Sequence, residues 1–117
     1  MQRMPESETK VKAQVYLNAD FAMEYTGRNL LALGLMSGDL VCIKAANWVS
    51  SKNIAVVRDQ EENLLCRLTW LQDEVVLSPL DAGYPSRIYK GENLPCIVGV
   101  VTGWIHSVPF MEDAANE

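Results

Sequence analysis

Asn53-Ile54-Ala55-Val56-Val57-Arg58 and Leu64-Leu65-Cys66-Arg67-Leu68-Thr69-Trp70 are two short runs of β-branched and aliphatic residues. Between them lies only Asp59-Gln60-Glu61-Glu62-Asn63. Runs of this length and composition, joined by a short polar link, predict a β-hairpin. Upstream, Asp39-Leu40-Val41-Cys42-Ile43-Lys44 reads as a strand entered through the turn Leu35-Met36-Ser37-Gly38-Asp39, where Gly38 takes the positive φ such a turn requires. Asn29 to Leu33 fits one helical turn, and Phe21 to Thr26 a strand stopped by Gly27. Lys10 to Leu17 alternates polar and apolar, as a half-buried strand does. Downstream, Glu74 to Ser78 is a strand, Asp81 to Pro85 a loop, Ser86 to Tyr89 a short edge strand, and Cys96 to Ile105 a long closing strand whose glycines permit a bend or bulge. Short strands at this spacing, with at most short helical turns, predict a mainly β fold.

The 117 residues suit one domain over residues 10–108, with a flexible lead-in over 1–9 and a flexible acidic tail over 109–117. The chain is 49% hydrophobic and 21% charged, which excludes wholesale disorder. Ten Lys and Arg against 15 Asp and Glu give a net charge of -5, a surface that repels phosphate backbones. No apolar stretch is long enough to span a bilayer and no secretory h-region opens the chain, so a cytoplasmic protein without a membrane partner is expected. Cys42, Cys66 and Cys96 are scattered in apolar runs and read as buried free thiols. With a single histidine, His106, and no clustered cysteines, neither a metal nor any other cofactor is expected. His106 reads as a surface or edge residue, and Trp48, in a loop, as the tryptophan best placed for a partner contact.

Five pieces in order resemble the C-terminal domain of LexA-like and phage-type self-cleaving repressors, a fold shared with UmuD-like proteins. Gly34-Leu35-Met36-Ser37-Gly38-Asp39-Leu40-Val41 is similar to the family's G-I-x-D-G-D-L-V turn, with Gly38 and Asp39 in place. Asn53 to Val57 is similar to G-E-I-A-V-V, Leu65-Cys66-Arg67-Leu68 to x-K-R-L, Leu77 to Pro85 to L-x-P-x-N-P-x-Y-x-P, and Ile97 to Val101 to I-x-G-x-V. The resemblance implies the coiled β-ribbon domain of that family. It also implies a serine nucleophile in a G-x-S-M motif and a lysine base sheltered by burial. Here the motif is Gly27-Arg28-Asn29-Leu30, and the lysine position is Cys66. A carboxamide is a poor nucleophile, and a thiol in an apolar strand has a raised pKa and does not serve as a base near neutral pH. Both members of the dyad are therefore absent.

A displaced dyad would draw on Ser37, Ser50 or Ser51 with Lys44 or Lys52, but Ser50, Ser51 and Lys52 read as an exposed loop that offers a lysine no shelter. A cysteine peptidase on Cys66 and His106 has no marked orienting residue. The resemblance thus predicts an inactive peptidase-fold domain that serves as the dimerisation and regulatory module of a transcriptional repressor of the SOS or phage type. It would form a homodimer through Tyr84, Ile88, Tyr89, Ile97, Val98 and Val100, and meet DNA only through a separate helix-turn-helix domain. The alternatives are an active self-cleaving Ser-Lys peptidase with a displaced dyad, and a stand-alone regulatory partner of active homologues.

Overall fold

The computed structural model describes residues 18–106. The lead-in, the strand expected over Lys10 to Leu17 and the acidic tail lie outside the described residues. Within them are seven strands: β1 (Phe21–Glu24), β2 (Leu40–Ala45), β3 (Ala55–Asp59), β4 (Glu62–Trp70), β5 (Glu74–Pro79), β6 (Arg87–Lys90) and β7 (Cys96–Ile105). They form one antiparallel sheet in the order β1-β2-β7-β3-β4-β5-β6. The mainly β reading holds. Over Asn29 to Leu33 the chain makes a single tight turn and no helix: the Leu33 and Gly34 amides donate to the Leu30 and Leu31 carbonyls, and the backbones of Leu30 and Leu35 bridge each other across it.

Apolar side chains leave both faces of the strands, so both faces need cover. On β3, Val56 points into a cluster with Tyr25, Leu35, Val41, Ile43 and Leu65, while Ala55 and Val57 point into a second cluster with Cys66, Leu68, Val75 and Leu77. The sheet thus buries one face along β1 and β2 and the opposite face along β4 and β5, and β3 is buried on both. Such two-sided burial explains why β3 is an unbroken apolar run rather than an alternating one.

The β3–β4 link is tighter than its five polar residues suggest. Pairing continues to Asp59↔Glu62, leaving Gln60 and Glu61 as a two-residue turn with φ of 52° and 65°. Positive φ at both central positions suits the right-handed strand twist, although Asn-Gly is the pairing that usually meets it. Gly38, at φ 98°, makes the turn into β2.

The last strand does not close an edge. β7 threads between β2 and β3, and its ladders shift register twice. Against β2, Cys42 faces Gly103 and Ile43 faces Val101, leaving Thr102 extra; against β3, Val56 faces Gly99 and Val57 faces Ile97, leaving Val98 extra. These are the bulges the strand's glycines allowed for. One cysteine departs from expectation. Cys42 and Cys66 are buried, but Cys96 is exposed, because it opens β7 opposite Arg58 at the end of the ladder, outside both clusters.

Candidate functional site

The chain leaves β1 at Tyr25 and is clamped there. The Tyr25 amide donates to the Asp39 carbonyl at 2.8 Å, and the Gly38 amide donates to the Tyr25 carbonyl at 2.7 Å. The Tyr25 hydroxyl, in turn, donates to the Arg28 carbonyl at 2.5 Å. This folds Gly27-Arg28-Asn29-Leu30 back over the 36–39 turn. The exposed Asn29 carboxamide then accepts the Ser37 amide at 2.8 Å, so its carbonyl is committed to capping that turn.

Cys66 is fully buried on β4, opposite Ala55 and Pro79. It packs among Val49, Val57, Leu68 and Leu77, and burial pushes its thiol up to about 12. A thiol in that setting stays protonated near neutral pH and accepts no proton from a neighbour. Leu30, beside Asn29, packs instead on the cluster holding Leu65. Of the two positions where the resemblance expects a nucleophile and its base, 29 is thus exposed and 66 is buried in the core.

The residues from which a displaced dyad would draw lie as follows. Lys44, Lys52 and Lys90 are all exposed, Ser37 is exposed in its turn, and the Ser50 hydroxyl accepts the Lys52 amide at 3.1 Å. His106 does have an orienting acid. Its Nδ1 lies 2.7 Å from Oδ1 of Asp39, whose carboxylate is 2% exposed and whose Oδ2 accepts the Met36 amide at 2.8 Å. The expectation that nothing orients His106 is corrected here: β7 runs antiparallel to β2, and Leu40↔Ile105 pairing brings the next residue onto Asp39. That pair does not involve Cys66. Asp39 ties together the turn, the start of β2 and the end of β7. Asp39→Ala would strand the Met36 amide and the imidazole, and is expected to cost about 2 kcal/mol, read as a lowered urea midpoint at unchanged m.

Arg28 is 74% exposed and has its Nε 3.7 Å from Asp81 Oδ1. Trp48, 58% exposed, stacks on Trp70 with ring centroids 5.9 Å apart, and the Trp70 indole donates to the Val49 carbonyl. The structure does not gather the expected interface residues on one surface. Ile97 and Val100 pack with Tyr89 on the Cys66 cluster, while Val98, the extra residue of the bulge, packs on the other. Tyr84 donates its hydroxyl to Glu62 at 3.0 Å, and Ile88 is 57% exposed on the outermost strand.

A groove of about 320 Å³ went unseen in the sequence. It opens between the end of β1, the β3–β4 hairpin and the loop after β5, floored by Met23, Leu30, Leu65 and Leu80. Strands four places apart in the sheet meet here because the sheet coils; Asn63 Nδ2 reaches the Met23 sulfur at 4.0 Å. Among the described residues no three His, Cys, Asp or Glu side chains cluster to hold a metal, and no helix is long and apolar enough to cross a membrane.

No curated protein matches the chain. The family model described as Peptidase S24-like matches residues 2–102, which span all seven strands but for the last three residues of β7, together with the 27–30 and 34–41 motifs and Cys66. On that match, and on the antiparallel β architecture beneath it, the chain belongs to the Peptidase S24-like family.

Proposed function

We propose that this domain is a peptidase-fold module that cuts no peptide bond and acts by association, as the dimerising and regulatory part of a transcriptional repressor. The observation that carries the reading is the chemistry of two positions. Asn29 offers a carboxamide already engaged with Ser37, and Cys66 a thiol held protonated by burial. Neither can generate an alkoxide or accept its proton. The hydrogen bonds around Asn29 also give that residue a structural task, which fits a site kept for its shape.

Association rests on what the fold leaves uncovered. β6 is an edge strand, and Ile88 presents a large apolar side chain from it. Two copies meeting along β6 would pair two open edges and bury Ile88 in a symmetric contact. Light scattering is expected to report a particle of two chains. Ile88→Glu, which places like charges opposite each other across the two-fold axis, is expected to weaken the dimer at least tenfold while leaving the fold intact, because Ile88 is outside both core clusters. A particle of one chain at high concentration would contradict this reading. Intact mass after alkaline incubation tests the non-cleaving part.

A further inference from the structure

The groove beside β1 belongs to neither part of that reading. Neither Asn29 nor Cys66 lines it, and it is away from β6. Its floor is aliphatic, but its rim is charged in one sense: Glu24, Glu61, Glu62 and Asp81 stand against the single guanidinium of Arg58 among the lining residues. Two of these carboxylates are engaged, Asp81 by Arg28 and Glu62 by Tyr84. Arg58 is turned along its own hairpin, with Nη1 donating to Asn63. Glu24 and Glu61 are exposed and carry no ion pair among the described residues. An apolar trough beneath unpaired carboxylates suits a side chain with a methylene stem and a cationic head.

A second, independent feature gives the shape of the occupant. β1 is the other edge of the sheet, hydrogen-bonded to β2 alone among the described strands, and its last residues Met23 and Glu24 form one wall of the groove. An open strand edge takes an extended backbone. About 320 Å³ is at the small end of ligand pockets and has room for a side chain or two, not for a helix. The acidic rim repels nucleic-acid phosphate. We propose that the groove receives an extended, lysine- or arginine-bearing segment of a partner protein, laid along the edge of β1 that no described strand covers, with its cationic side chain over Met23, Leu30, Leu65 and Leu80. No catalytic group takes part, so this site stands or falls separately from the absence of cleavage and from dimer formation.

The test is an NMR titration of the isotope-labelled chain with a heptapeptide alternating valine and lysine, beside a counterpart alternating valine and glutamate. The lysine peptide is expected to shift amides of Met23 to Gly27 and of Asn63 to Leu65, and to bind more weakly as salt rises. In the Glu24→Gln, Glu61→Gln double variant, whose spectrum away from the groove checks the fold, its affinity should fall roughly fivefold or more. Equal binding of the glutamate peptide, shifts centred on Trp48 or Ile88 instead, or no shifts at millimolar peptide would each overturn the proposal. Because salt dependence is read on the unaltered chain, a double variant that failed to fold would still leave the outcome decided.

Discussion

Gly99→Ala is expected to cost about 3 kcal/mol or more, enough to unfold much of the population of a domain of ordinary stability. Gly99 is buried in the middle of β7, opposite Ala45 of β2 on one side and Val56 of β3 on the other. A Cβ built there would stand 2.3 Å from the Lys44 carbonyl oxygen and 2.8 Å from Cγ2 of Ile43. The first clash is with backbone, which cannot rotate away. Relief would require parting β2 from β7, the contact that joins the β1–β2 half of the sheet to the rest. The register shift at Val98, next to Gly99, leaves the ladder little freedom to slide. Urea unfolding followed by circular dichroism should show a sharply lowered midpoint. Gly91→Ala serves as the contrast: a Cβ there meets nothing within 4 Å, so only the strain of its φ of 63° should appear, about 1 kcal/mol. A Gly99→Ala midpoint equal to that of the parent would mean that β7 is not threaded as described.

The second large effect is alkaline destabilisation carried by Cys66. Burial raises its thiol from the ordinary 9.0 to about 12. The unfolded chain can ionise this thiol from about pH 9 upward, while the folded chain holds the proton until about pH 12. The stabilisation of the protonated form is therefore fully present below pH 9 and lost as pH rises through that window. A gap of about three pH units corresponds to roughly 4 kcal/mol over the whole range and about 2 kcal/mol by pH 10.5. Burial also raises Cys42 and Tyr25, the latter with help from the charges of Asp81 and Tyr84, so both act in the same direction. Cys66→Ala isolates the main contributor. It should lose about 1 kcal/mol at pH 7 from the small void it leaves, yet fall less steeply than the parent between pH 9 and 10.5. Parallel slopes for the two proteins would show that position 66 is wetter than its packing indicates.

These two residues also mark where the sequence was legible and where it was not. The β3–β4 hairpin could be read locally, because its two apolar runs and polar link lie within twenty residues. So could the Gly38 turn, where one residue type meets one backbone requirement. Cys66 proved as buried as its neighbours suggested. The central place of β7 was not readable: composition marks a strand as buried but does not say which strands flank it, and this partnering is long-range. The same limit hid the contact of His106 with Asp39 and the groove, whose walls come from β1, β4 and the loop after β5. The tight turn at Gln60 and Glu61 was masked because neither residue is an Asn or Gly. Cys96 was misjudged because an apolar run says nothing about where in it the ladder begins.

The measurement that bears most directly on the central claim is intact mass spectrometry of the chain held at pH 9.5 with an excess of a peptide containing an Ala-Gly bond, the fold being monitored in parallel. Mildly alkaline solution favours any sheltered amine acting as a base, so it is the condition most generous to cleavage. A carboxamide at 29 and a protonated thiol at 66 predict one species at 13.0 kDa and an uncut peptide throughout. A defined fragment of either, absent when Asn29 or Cys66 is changed to Ala, would contradict the account.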